Sequence, residues 1–411
     1  MTTTSAPAVT TPSDRPDQET IVTTHLSAPS IIGLPAPTGP HPIGRTRLEL
    51  VDQSRREVYG GGTGAPRELV LWIWYPTEPD QSGPLAEYLP PAWSPIADQL
   101  GFDATGLHGH ATVDAPIALG EAPYPVLVLS PSGFSPLLLT GLAEQLASTG
   151  YVVVGVNHTY ETAVTAFADG RVAPMDPAAL GGALGPQIGA ADEAFRRRAE
   201  VCRYKAGDLS SAADHLSRLA PDASGLATEH LDLERIGAVG HSFGGNAALE
   251  WSRLDSRCRA AANLDGAIWT EVGTVALARP ALQILAEHPE FELPAAAAVA
   301  AGIAPSAEWY EAERSIAFDG WRAVTEQATP GHTMQITGAT HVSFMDVPFL
   351  PHDDSGPIGS MVAATSIDPM RMWRITSDLL AAFFDRHIRG AAAPLLDDPG
   401  TAYPEVRLGS P

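Results

Sequence analysis

Gly240-His241-Ser242-Phe243-Gly244 sets a serine between two glycines where an apolar run, IGAVGH (236–241), gives way to a helical pattern, GGNAALEWSRL (244–254). A serine lifted above a sheet edge on a sharp strand-to-helix turn needs small residues two positions to either side, because the two backbones nearly collide there. The hydroxyl is almost inert at neutral pH. A base must take its proton and an acid must orient that base.

On an open sheet with such a turn, the acid and then the histidine follow the serine in the chain. The histidines beyond Ser242 are His288, His332, His341, His352 and His387. His387 falls within an expected helix, and His332 precedes the last strand-like run instead of following it. His341 directly follows MQITGAT (334–340), at the edge where sites on open parallel sheets assemble, and is assigned as the base. Two carboxylates end apolar runs: Asp265 closes AAANLD (260–265) and Glu287 closes ALQILAE (281–287). Position alone does not separate them. An oxyanion would be held by the N–H of Phe243, the residue after the nucleophile, and by one from the loop Ser130-Pro131-Ser132-Gly133-Phe134. Gly133 lets the backbone approach there, so Phe134 is the expected second donor.

These residues need a scaffold, and its pattern is legible. LELVD (48–52) and LVLWIWYP (69–76) flank a Gly-rich turn, the signature of a hairpin. VLVLS (126–130) and YVVVGVNH (151–158) are continuous apolar runs, as strands buried on both faces require, with a helical stretch between them. A long helix is expected over about 191–220. A last one in RMWRITSDLLAAFFDRHIRG (371–390) carries Trp373, Thr376, Leu379, Leu380, Phe383 and His387 on one face. Hairpin, then repeated strand-helix units, predicts a mostly parallel, doubly wound α/β sheet opened by an antiparallel hairpin.

Composition sets outer limits. The 411 residues are 44% hydrophobic, enough for a large core, and 25 basic against 48 acidic side chains give a net charge of −23. That field repels nucleic acid and anionic lipid surfaces. Cys202 and Cys258 are too few for a disulfide framework and are expected as free buried thiols. No run reaches the roughly eighteen apolar residues of a membrane span. The first 40 residues, rich in Thr, Ser and Pro and without a signal-peptide pattern, are expected to be a disordered tail. A cytoplasmic location is the corresponding expectation.

The chain resembles the platelet-activating-factor acetylhydrolase (lipoprotein-associated phospholipase A2) branch of the α/β-hydrolases and its bacterial esterase relatives. It is more distantly similar to actinobacterial lipases and cutinase-type polyester hydrolases. The resemblance runs through WYP (74–76), SPSGF (130–134), LASTGYVVVGVNH (146–158), RIGAVGHSFGG (235–245), NLDGAIW (263–269), RPALQILAEH (279–288) and TGATHVSFMD (337–346). It spans about residues 44–390 and implies an α/β-hydrolase fold; the domain is expected over residues 41–411 with lid or cap inserts at about 164–200 and 288–331, the second long for the family. It implies Asp265, not Glu287, as the acid, and it places the family's H-x-x-F-x-D histidine on His341, with Phe344 and Asp346 in place. The oxyanion loop departs from the family by one apparent extra residue, Ser132.

The function expected is a serine carboxylic-ester hydrolase acting on a small-molecule ester with a neutral, apolar acyl group, without cofactor or metal. An acyltransferase with the same residues, or a non-catalytic binding protein on the same fold, are the alternatives. His108 and His110 form an H-x-H without a third ligand of metal-site spacing. His158, after a buried strand, either lines the pocket or satisfies loop carbonyls. Arg196, Arg197 and Arg198 are expected as a solvated helix face. The segment from Val164 to Gly189, rich in Gly, Ala and Pro, is expected to cover the acyl pocket.

Overall fold

In the computed structural model, residues 33–61, 64–79, 82–181, 191–221 and 223–409 are described. The strands are β1 (Ile43–Arg56), β2 (Pro66–Pro76), β3 (Leu85–Glu87), β4 (His108–Val113), β5 (Tyr124–Ser130), β6 (Val152–Asn157), β7 (Val164–Ala166), β8 (Val172–Pro174), β9 (Leu231–His241), β10 (Cys258–Leu264), β11 (Ala281–Leu285), β12 (Gly331–Ile336) and β13 (Val406–Leu408). Eleven of them form one sheet in the order β13-β12-β11-β10-β9-β5-β6-β2-β1-β4-β3. From β6 through β5, β9, β10 and β11 to β12 every neighbouring pair is parallel. The expected opening hairpin is β1 against β2, in continuous antiparallel register from Ile43↔Pro76 to Asp52↔Arg67.

The unbroken apolar runs are explained by what lies on each face. Leu127 and Leu129 of β5 enter one core, whereas Val126 and Val128 of the same strand enter the other. Helices α1 (Ser94–Leu100) and α2 (Thr140–Ser148) lie on the first side, and α3 (Ala191–Leu216) and α4 (Phe243–Leu254) on the second. The segment between β11 and β12 carries α5 (Ala295–Ala300) and α6 (Ala307–Gln327), the latter capped by Ser306 accepting from the Trp309 amide. After β12 come α7 (Pro357–Ala363) and α8 (Pro369–Phe384). Trp373, Thr376, Leu379, Leu380 and Phe383 of α8 are all buried, the stripe the sequence pattern requires. His387 lies just beyond the helix, in a wider turn over Asp385–Arg389.

Two expectations about the periphery are corrected. The tail expected over residues 1–40 is shorter than that among the described residues. Gly33 donates to the Phe349 carbonyl, Thr38 to Gln145 and Gly39 to Ser148, so residues 33–40 are tied to the domain. Residues 1–32 lie outside the described residues. The expected cover begins as a packed hairpin, β7 against β8, with Phe167 and Ala173 buried against Val70. Residues 182–190 of that segment are not among the described ones.

Candidate active site

β9 ends at His241, α4 starts at Phe243, and Ser242 makes the turn between them with φ 59° and ψ −125°. A non-glycine residue holds that conformation only when its surroundings over-determine it. The Ser242 amide donates to the Leu264 carbonyl at 2.9 Å and its own carbonyl accepts from Gly245 at 2.9 Å. A Cβ on Gly240 would lie 2.1 Å from the Gly244 oxygen, and one on Gly244 would lie 2.1 Å from the Ser130 oxygen. The two motif glycines are therefore demanded by backbone approach, as the pattern implied.

Asp265 follows β10 and is the second non-glycine residue of the site at positive φ, 55°. Its carboxylate is buried and fully engaged. Oδ2 lies 2.7 Å from Nδ1 of His341, and Oδ1 accepts from the Ala286 amide at 2.8 Å and faces Nε2 of His288 at 2.9 Å. The two histidines hold the acid below the ordinary carboxylate range against the opposing effect of burial. His341 opens a short turn over His341–Phe344, and its carbonyl accepts from Nε2 of His241 at 2.9 Å. The rings of His241 and His341 lie 4.6 Å apart. The other candidate acid, Glu287, faces the same cavity, but its carboxylate accepts from the Gly338 amide at 2.9 Å and pairs with Arg407. The structure thus brings Asp265, and not Glu287, to His341.

Ser242, Asp265, His288 and His341 line one cavity of about 560 Å³. Among the described residues no hydrogen bond joins the Ser242 hydroxyl to His341; such bonds commonly close only with substrate in place. The cavity walls are mainly aromatic and aliphatic, with Trp269, Phe291, Trp321 and Met361 among them. The 288–331 insert contributes His288–Phe291, Glu313, Ala317 and Trp321 to the wall. Among the described side chains from 164 to 179 none lines the cavity; Met175 packs behind Phe243, against Val201 and Cys202.

The amides of Phe134 and Phe243 have no protein acceptor among the described residues. Successive carbonyls before Phe134 are tied down. Lys205 reaches those of Pro131 and Ser132 at 3.5 and 3.2 Å, and the Ala163 amide donates to that of Gly133 at 2.8 Å. Because each peptide is planar, fixing a carbonyl also fixes the direction of the next N–H.

Behind this loop lies a wholly buried charge cluster that position along the chain did not reveal. His158 faces Ser130 Oγ at 3.0 Å and Asp208 at 2.8 Å; Asp208 also accepts from Arg67, whose guanidinium reaches Glu57 and Glu161 too. His158 is fully buried and is not among the residues that line the active-site cavity. Burial pulls it down to about 3, so it stays neutral and ties Ser130, at the end of β5, to α3. His158, Glu161 and Asp208 are the one group of His, Cys, Asp or Glu among the described residues close enough to hold a metal ion. The Arg67 guanidinium already occupies the Asp208 and Glu161 carboxylates.

Arg198 corrects the solvated-face expectation. Arg196 and Arg197 are exposed, but Arg198 is buried, pairs with Glu313 at 2.7 Å and lies 4.6 Å from the Trp269 ring. His108 and His110 sit on β4, where His110 meets the buried Glu144. Both cysteines are buried free thiols. No helix of the described residues is long and apolar enough to cross a membrane.

The chain has known relatives. The family described as platelet-activating factor acetylhydrolase, isoform II, matches residues 225–391. A protein of Arthroderma benhamiae named as a probable 1-alkyl-2-acetylglycerophosphocholine esterase is 24% identical over 92% of this chain and 94% of its own length. Among solved structures, a ferulic acid esterase from Streptomyces cinnamoneus is 32% identical, with a TM-score of 0.69, over 92% of this chain and 99% of that one.

Proposed function

We propose, for a chain that belongs to the platelet-activating-factor acetylhydrolase-like branch of the α/β-hydrolases and is a carboxylic-ester hydrolase, that Ser242, His341 and Asp265 are its catalytic triad. One observation carries the assignment: the buried Asp265 carboxylate holds Nδ1 of His341 at 2.7 Å, in the cavity that the strained Ser242 faces. With Nδ1 protonated and bound to the acid, Nε2 of His341 is left as the proton acceptor.

Ser242 Oγ attacks the acyl carbon as its proton passes to His341. The N–H groups of Phe134 and Phe243 hold the oxygen that becomes negative. Collapse expels the alcohol, which takes the proton from His341, and leaves the acyl group on Ser242. Water, deprotonated by the same histidine, then attacks the acyl-enzyme and restores the serine.

The substrate class proposed is a neutral ester with an apolar acyl group, supported by the rings of Trp269, Phe291 and Trp321 in the cavity wall and by the −23 net charge. The test is labelling with a fluorophosphonate, followed by turnover of acetyl, longer alkanoyl, feruloyl and anionic acyl esters. Ser242 is expected to be the residue modified, and Ser242→Ala to lose hydrolysis with its melting temperature retained. Label on another residue, or near-parental turnover by Ser242→Ala, would overturn the triad. Preference for the anionic esters would overturn the substrate class.

A further inference from the structure

His288 does not belong to the proposed triad, yet it occupies the face of the acid opposite the base. Its Nε2 lies 2.9 Å from Asp265 Oδ1 and its Nδ1 lies 2.9 Å from Glu290 Oε1. Asp265 Oδ1 also accepts the Ala286 amide, as an ionised carboxylate does, and Glu290 is 42% exposed, wet enough to stay ionised at neutral pH. Two carboxylates can only accept, so both ring nitrogens of His288 must donate. An imidazole that donates from both nitrogens is a cation.

The ring is also held in place. It lies 5.1 Å from Trp321 and 5.8 Å from Phe291, and Trp321 is itself fixed by its indole N–H on the Gly266 carbonyl at 2.9 Å. Aromatic faces accommodate a flat cation. The charged or titratable groups sharing its surroundings are Asp265 after β10, Glu287 and Glu290 on its own segment, His341 on the 341–344 turn, and Arg198 and Glu313 from α3 and α6. Asp265 and Glu290 together outweigh the cost of burying the ring and push its proton affinity up to about 10.

We propose that His288 is a positioning residue that acts through Asp265: a fixed imidazolium that shares the acid with His341, holds the carboxylate in register, and offsets part of its negative charge. This rests on the triad reading above. Removing the charge at position 288 would leave more net negative charge on the carboxylate that the base shares. His288 also separates two jobs that one carboxylate usually does alone, since orientation is kept while the field at the base is reduced.

The experiment is the pH dependence of kcat/KM for the parent, His288→Gln, Glu290→Gln and His341→Ala, with ¹⁵N spectra of the histidine-labelled parent. Gln at 288 can still donate to Asp265 but carries no charge. The acid limb of His288→Gln should move up by about one pH unit, with the plateau within about fivefold of the parent. Glu290→Gln should move it the same way by less. At pH 8 the parent's His288 signal, identified by its absence in His288→Gln, should show both ring nitrogens protonated.

A lowered plateau with the acid limb unmoved would reduce His288 to a structural role and overturn the proposal, as would a singly protonated ring at pH 8. If His288→Gln does not fold, Glu290→Gln and the spectra decide. If His341→Ala keeps turnover with the parent's acid limb, the triad reading has failed and the proposal falls with it. If His341→Ala is inactive while His288→Gln and Glu290→Gln keep the parent's limb, only the proposal fails.

Discussion

Lys205 places its ammonium group 3.2 Å from the Ser132 carbonyl, in the loop proposed to offer the Phe134 amide to the oxyanion. It is the chain's single lysine, wholly buried on α3, where burial lowers its proton affinity and the nearby Glu161 and Asp208 oppose that effect. Helix α3 thus braces from behind the loop that is proposed to hold the oxyanion.

Lys205→Met keeps the length and removes the donor and the charge. It should lower kcat roughly tenfold or more while KM stays within about threefold, because the amide that holds the oxyanion loses its alignment. Unpaired buried partners should also cost stability, on the order of 3 kcal/mol in a urea titration. A KM effect with kcat unchanged would place the role of Lys205 in substrate binding instead.

The competition between the two acids has a sharp outcome. Asp265→Asn should cost on the order of 10⁴ in kcat, the scale expected when a triad acid loses its charge. Glu287→Gln should cost far less, since Glu287 serves the Gly338 amide and Arg407. Steady-state kinetics of the two variants at one pH decide it, and the reverse ranking would move the acid to Glu287.

Acid stability follows from two enclosed histidines. Burial lowers His158 and His241 to about 3, from ordinary values near 6.5. Below about pH 6.5 the unfolded chain binds a proton at each site that the folded chain refuses until about pH 3, so stability must fall as pH falls through that window. Each site contributes up to about 1.4 kcal/mol per pH unit. Unfolding free energies of the parent and His241→Gln at pH 6.5, 5.5 and 4.5 should show the variant with the shallower decline. Equal slopes would mean that His241 titrates in the fold.

The reaction class was legible because its signals are local. A glycine-flanked serine between a buried strand and a helix can form only a tight turn, and His341 stands directly after the last long apolar run. Alternation between two cores explains why β5, β6 and β9 read as unbroken apolar runs. Other signals were present but read only in part, Leu209 and Leu216 on one helix face being expected and Arg198 and Lys205 on that face not. Arg198, Cys202, Lys205, Leu209 and Leu216 recur at helical spacing and are all buried, so the stripe on α3 was in the sequence and its two cations lay on it. Tyr310, Ala317, Trp321 and Val324 likewise mark the buried face of α6 inside what read as an insert.

The amino-acid sequence determined the elements, their order, and which residue types stand at the ends of the strands. Position along the chain left Asp265 and Glu287 even and the family resemblance favoured Asp265; the tertiary structure puts the Asp265 carboxylate against His341. Both close adjacent parallel strands, β10 and β11, and the choice turns on which carboxylate the backbone aims at His341. The structure also puts His288 on the Asp265 carboxylate, gives part of the pocket wall to the 288–331 insert, and sets Lys205 on the carbonyls of the loop before Phe134. Each of these is a contact between residues far apart in the chain. Local pattern reports which face of an element is buried, but the identity of what lies against that face is set when the layers pack.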